Sequence, residues 1–236
     1  MCNINVRTIQ RIEAGEVTPR SYTLKTILKA LDCDLEEIHL EEKNKLNFSR
    51  ADLKTINICA WLGIVFIIID SFNIFLNITL DFDLDVLESI TSIKQLYITT
   101  QFVSFILAFT FYLGFYISGK IFKSSLLKAT SILMIVVSGL NYFFSGFLFD
   151  SNEFIKTTFG VVTLLGYGAV GIPFGIGILK LNTYLSSYAT SGIFTIILYA
   201  TMLTVVLIFM SVFLIVPVMI LQLILLYKVK EYLQHT

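Results

Sequence analysis

Apolar residues run almost unbroken through four long stretches of the chain: Ile56–Thr79, Leu96–Ser118, Ala129–Phe149 and Thr157–Leu179. Each predicts one helix across a bilayer, which takes roughly 20 apolar residues. A fifth stretch, Ser187–Tyr227, carries no charge at all. As a single helix it would be about 60 Å long at 1.5 Å per residue, twice the hydrocarbon thickness. Two short spans with a tight turn near Phe209 fit that length better. The alternative is one span from about Ile196, preceded by an interfacial segment at Tyr184–Ser191. The expected architecture is all-α: a polytopic helical region over residues 55–230, with six spans favoured and five possible.

The first 54 residues follow another pattern. Asn5 can cap a helix that starts at Val6. Ile9 and Ile12 then share one face, while Arg7, Gln10 and Arg11 point away from it. Gly15 is expected to stop that helix and Pro19 marks a loop. Ser21 can cap a second helix with Leu24, Ile27, Leu28 and Leu31 as its stripe. Asp34 would open a third. Residues 41–54, EEKNKLNFSRADLK, read as a charged linker or a helical lead-in.

Composition sharpens this division. The chain is 56% hydrophobic and only 14% charged, with a mean hydropathy of +0.82; soluble domains carry roughly 25% charge. Net charge is zero. Within residues 1–54 the nine basic residues are matched by nine acidic ones, so the basic excess usual for a strong nucleic-acid binder is missing. Cys2, Cys33 and Cys59 are scattered, without the spacing of a disulfide framework or zinc site. The polar N-terminus does not read as a secretory signal.

Charge also orients the bundle. In a six-span arrangement Lys43, Lys45, Arg50, Lys54, Lys120, Lys123, Lys128, Lys180, Lys228 and Lys230 fall on one side. The acidic loops holding Asp81, Asp83, Asp85, Glu88, Asp150 and Glu153 fall on the other, with Lys94 and Lys156. Positive loops stay inside, so both termini are expected in the cytosol of a cell bounded by this inner membrane. Trp61, Tyr97, Tyr142, Tyr184, Tyr227 and Tyr232 lie near span ends, where interfacial aromatics gather.

The segment Asn5-Val6-Arg7-Thr8-Ile9-Gln10-Arg11-Ile12-Glu13, followed by Gly15, Pro19 and the Leu24–Leu31 helix, resembles the Cro/C1-type (XRE-like) helix-turn-helix family. The resemblance covers about residues 3–40. It implies that the helix from Val6 is a recognition helix of a bacterial-type, DNA-binding regulator of transcription. Val6, Arg7 and Arg11 would face base edges, with Asn5 and Gln10 beside them and Arg20 near the backbone or minor groove. Arginine is the commonest reader of guanine, and such readers often pair as dimers on two half-sites, so a homodimer is expected. The family places two helices before the recognition helix, whereas Met1-Cys2-Asn3-Ile4 stand there in this chain. The expected domain, residues 1–40, is therefore partial, N-terminally truncated, with Ile9, Ile12, Ile27 and Leu31 short of apolar cover.

Within the spans one group stands out. Asp70 is the sole acid near the middle of a span, and a carboxylate there is costly enough to mark a functional site. Asn73 and Asn77 follow at i+3 and i+7, on the same helix face. A proton or cation relay is one reading; a hydrogen-bonded contact between helices, with Asp70 protonated, is the other. The fourth span holds Gly160, Gly166, Gly168, Gly171, Gly175 and Gly177 around Pro173, which reads as close helix packing or as a broken, site-lining helix. No phosphate loop, metal-binding helix or nucleophile elbow is present. The chain is expected to be no enzyme and to hold no cofactor or metal. Its expected partners are DNA and the lipid bilayer. A small transporter or channel, or a structural membrane protein carrying a vestigial reader, are the alternatives.

Overall fold

The computed structural model describes residues 5–14, 17, 19, 21–30, 48–82, 91–183, 189–204 and 208–234. The chain divides into two compact units, residues 1–47 and 48–235, and each has its own logic.

In the first unit, α1 spans Val6–Glu13 and α2 spans Ser21–Ala30. Asn5 starts α1 as expected. Its backbone is extended, at φ −64° and ψ 132°, and its side-chain oxygen accepts from the Arg7 amide at 3.0 Å. That bond satisfies one of the amide groups left open at a helix start. The helix ends at Glu13 with Ala14 as its C-cap. Gly15, Arg20 and the third helix expected from Asp34 lie outside the described residues.

The second unit is a bundle of six apolar helices among the described residues: α3 Arg50–Phe82, α4 Thr91–Ile121, α5 Ser125–Phe147, α6 Glu153–Leu179, α7 Ala189–Leu203 and α8 Ile208–Gln234. A short 3-10 turn, Lys180–Thr183, follows α6. Five of the helices, all but α7, are long and apolar enough to cross a membrane. The first begins earlier than its apolar run. Ser49 and Asp52 form a reciprocal cap, with the Asp52 amide donating to Ser49 Oγ at 3.1 Å and the Ser49 amide donating to Asp52 Oδ2 at 2.9 Å. This box opens the helix at Arg50, so the end of the charged segment is a helical lead-in rather than a linker.

Each helix packs on the next in the chain, and α8 returns to pack on α3. Pairings show the helices alternating in direction. Along α3 and α4, Asp52 meets Lys120 at 3.2 Å and Asn73 meets Ser104 at 2.7 Å. The α8 end is fixed by Trp61, whose ring stands edge-on to Tyr227 with centroids 6.2 Å apart. The start of α3 and the end of α8 therefore share one end of the bundle with the α4–α5 turn.

The last apolar stretch divides between Leu203 and Ile208, close to the turn expected near Phe209, and it divides unequally: α7 has 15 residues and α8 has 27. After α7 the Thr204 amide and hydroxyl both donate to the Thr201 carbonyl, at 3.2 and 3.0 Å. At about 22 Å, α7 falls short of the hydrocarbon thickness. Pro217 lies inside continuous α8.

The bundle is apolar outside and mixed inside. Phe213, Phe154, Phe147, Phe102 and Ile68 are between 64% and 81% exposed, a surface that suits lipid and would be a liability in water. Phe111, Phe115 and Phe174 are fully buried and touch edge to face, with Phe115 and Phe174 centroids 5.2 Å apart. Buried beside them are Asn73, Gln101, Ser104, Ser138, Thr195 and Gln222. Where water is excluded such groups must pair internally. Ser131 does so by donating to the Leu127 carbonyl at 2.6 Å, and Gln222 by donating to Thr195 Oγ1 at 3.1 Å.

The glycines of α6 hold α7 close. A Cβ on Gly171 would sit 2.0 Å from Tyr199 Cγ, and one on Gly175 would sit 2.7 Å from Ile196 Cγ1. The contacts run from Gly192 against Leu179 to Leu203 against Gly168, so α7 lies along the second half of α6. The first half, from Glu153 to Tyr167, extends beyond those contacts. Gly160 there has open space at its Cβ position.

Candidate functional site

On α1, the residues expected to face a ligand all face outward. Asn5, Val6, Arg7, Gln10 and Arg11 are exposed, whereas Ile9 and Ile12 are half-covered. The spacing explains the split: at 100° per residue Val6, Arg7, Gln10 and Arg11 occupy one arc and the two isoleucines the opposite one. No residue of α1 is fully buried. Arg20, the remaining candidate of this set, lies outside the described residues.

In the bundle, Asp70, Asn73 and Asn77 line one cavity of about 490 Å³. Asp70 Oδ1 accepts a hydrogen bond of 2.6 Å from the Tyr142 hydroxyl on α5. Asn73 Nδ2 donates to Ser104 Oγ on α4 at 2.7 Å. Asn77 Nδ2 donates back to the Asn73 carbonyl at 2.9 Å, and its Oδ1 accepts from the Tyr97 hydroxyl at 3.1 Å. One helix face thus reaches two neighbouring helices. Asn73 Oδ1 is buried and has no hydrogen-bond partner.

Four tyrosines from four successive helices close in on Asp70: Tyr112, Tyr142, Tyr167 and Tyr199. Tyr112 is hydrogen-bonded to Tyr199 and reaches Ser138, and Tyr167 reaches Ser138 and Asn141. The α6 side of the cavity comes from Gly160, Thr163, Leu164 and Tyr167, in the half of the helix beyond α7. The end of α7 and the start of α8 contribute Met202 and Ser211. A second cavity of about 490 Å³ shares Asn77, Asn141, Ser145 and Gly160 and extends to Glu153 and Lys156. Those two residues lie at the end of the bundle opposite Asp52 and Lys120.

Tyr142 corrects the expectation of an interfacial aromatic. It is 7% exposed, faces inward and bonds the acid. The sequence places it five residues from the end of α5, where inward and lipid-facing positions read alike. Tyr184 lies outside the described residues. Tyr112, Tyr167 and Tyr199 had no signal of their own, since each is a lone polar group in an apolar run. A tyrosine recurring in each of four spans was the available hint.

Residues 1–38 match the Helix-turn-helix family. Neither a curated protein nor a solved structure matches the chain. The family match covers the segment that holds α1 and α2, and that segment is similar to a Cro/C1-type reader, as its residues suggest.

Proposed function

We propose that the protein is a membrane-anchored, DNA-binding regulator whose helix-turn-helix segment stands on the cytosolic side of a multi-pass bundle in the inner membrane. The observation that carries this reading is the outward row of Arg7, Gln10 and Arg11 on a capped helix within residues 1–38, which match the Helix-turn-helix family. Arginines near the start of such a helix are placed to meet base edges. The lysine-rich end of the bundle supports the orientation: Arg50, Lys54, Lys120, Lys123, Lys128, Lys180, Lys228 and Lys230 gather where α3 begins and α8 ends. Pairing as a homodimer on two half-sites belongs to the same proposal. The test is selection of bound DNA from a random pool by the full chain in lipid nanodiscs. An enriched sequence is expected, and Arg7→Ala or Arg11→Ala should weaken binding to it by about 1–3 kcal/mol. Failure to enrich any sequence overturns the proposal.

The cavity around Asp70 favours a second reading, a small transporter or channel in which the N-terminal segment is vestigial. Solute flux through proteoliposomes that is unchanged by Asp70→Asn would overturn that one.

A further inference from the structure

Among the described residues that line its cavity Asp70 is the one charged residue, with no lysine, arginine or histidine there to balance it. A carboxylate in an apolar bundle is costly unless a partner accompanies it. Tyr142 supplies one hydrogen bond, and a carboxylate can accept several. One turn along, Asn73 is 3% exposed, its amide nitrogen is engaged by Ser104, and its Oδ1 is left without a donor. Buried acceptors of this kind are almost always satisfied. Asp70, with one donor and room for more, therefore lines this cavity, and Asn73, whose Oδ1 has no donor, lines it one turn away on the same helix face.

Size and lining narrow what would supply them. A cavity of about 490 Å³ lies within the range of small-molecule sites, roughly 300–1,000 Å³, and is far larger than a bare metal ion needs. Four tyrosine rings stand around it, and aromatic faces attract organic cations. We propose that this cavity is a binding site for an organic monocation that carries N–H donors, a protonated primary or secondary amine. Asp70 is its counter-ion and Asn73 Oδ1 its second acceptor. The tyrosines form the cage, and the adjoining cavity at Asn77 and Asn141 is the approach from the Glu153 end. The site stands whether or not α1 reads DNA.

The experiment uses the full chain in phosphatidylcholine nanodiscs, with benzylamine as the cationic probe and benzyl alcohol as its neutral counterpart. Saturable benzylamine binding is expected by calorimetry and by a rise in Tm, with benzyl alcohol about tenfold weaker or more, as a charge-assisted hydrogen bond requires. Asp70→Asn keeps an acceptor for Tyr142 and should lower benzylamine affinity by about tenfold or more, with Asn73→Ala lowering it by a smaller factor. Equal binding of the two probes, wild-type affinity in Asp70→Asn, or no benzylamine binding up to about 10 mM, below the weak end of specific recognition, overturns the proposal. If Asp70→Asn does not fold, the two probes on the unaltered chain decide. Nanodiscs containing phosphatidylethanolamine identify the source: competition with benzylamine assigns the site to the lipid's ethanolamine headgroup, and unchanged affinity assigns it to a free amine.

Discussion

Helices α1 and α3 both carry their polar residues in one row, and the rows face opposite ways. On α1 the row of Arg7, Gln10 and Arg11 faces out, with two half-covered isoleucines behind it. On α3 the row of Asp70, Asn73 and Asn77 faces the bundle interior, and Ile68, Phe72 and Phe75 face out. The surrounding medium accounts for the reversal. In water, apolar groups gather inside and charge is cheap outside. In lipid, the outside must be apolar and polar groups find partners only within the protein. A polar row at helical spacing therefore faces outward in one unit and toward neighbouring helices and a cavity in the other.

The largest expected effect tests how tightly the interior is packed. Gly171→Leu would drive a side chain into Tyr199, whose Cγ already lies 2.0 Å from where a Cβ would be. It should destabilise the bundle by about 3 kcal/mol or more, read as a lower Tm in detergent or loss of the monodisperse species. Gly160→Ala, in the same helix but with open space at its Cβ position, should leave stability unchanged or raise it by up to about 1 kcal/mol. Equal losses in both would mean that the glycines act through helix propensity rather than close approach.

A middle effect concerns the inward row. Tyr142→Phe removes the hydrogen bond to Asp70 and should cost about 1–3 kcal/mol, measured by thermal unfolding of the full chain. No change would show that the contact adds nothing to the bundle. The smallest effect falls on the outward row. Asn5→Ala removes the α1 cap and should cost that helix about 1 kcal/mol, seen as faster hydrogen exchange at the Arg7 amide with the bundle helices unaffected. Equal exchange before and after would break the claim that the cap holds α1.

Much of this was legible in the residues. Asn5 before an alternating polar and apolar octet announced α1. The long apolar runs announced α3 to α6 within a few residues. Ser49-Arg50-Ala51-Asp52 carries the S-x-x-D pattern of a cap, so the early start of α3 could have been read as well. The break between Leu203 and Ile208 was harder to place, because it falls inside a run with uniform hydropathy and no charge. The tyrosine cage was out of reach. Tyr112, Tyr142, Tyr167 and Tyr199 are far apart in sequence, and local periodicity does not say which helix each one meets.

The sequence by itself determined the medium of each unit, the helical state of nearly every described segment, and the shared face of Asp70, Asn73 and Asn77, since these follow from hydropathy and from the 3.6-residue period alone. Tertiary structure decided the rest: α7 seated on the Gly168–Leu179 half of α6, the donor reaching Asp70, and the cavity left above the shorter helix. These depend on which helices neighbour one another and at what depth. That choice is made by close packing of small residues against large ones, such as Gly171 against Tyr199, whose pairing is a property of the assembled bundle.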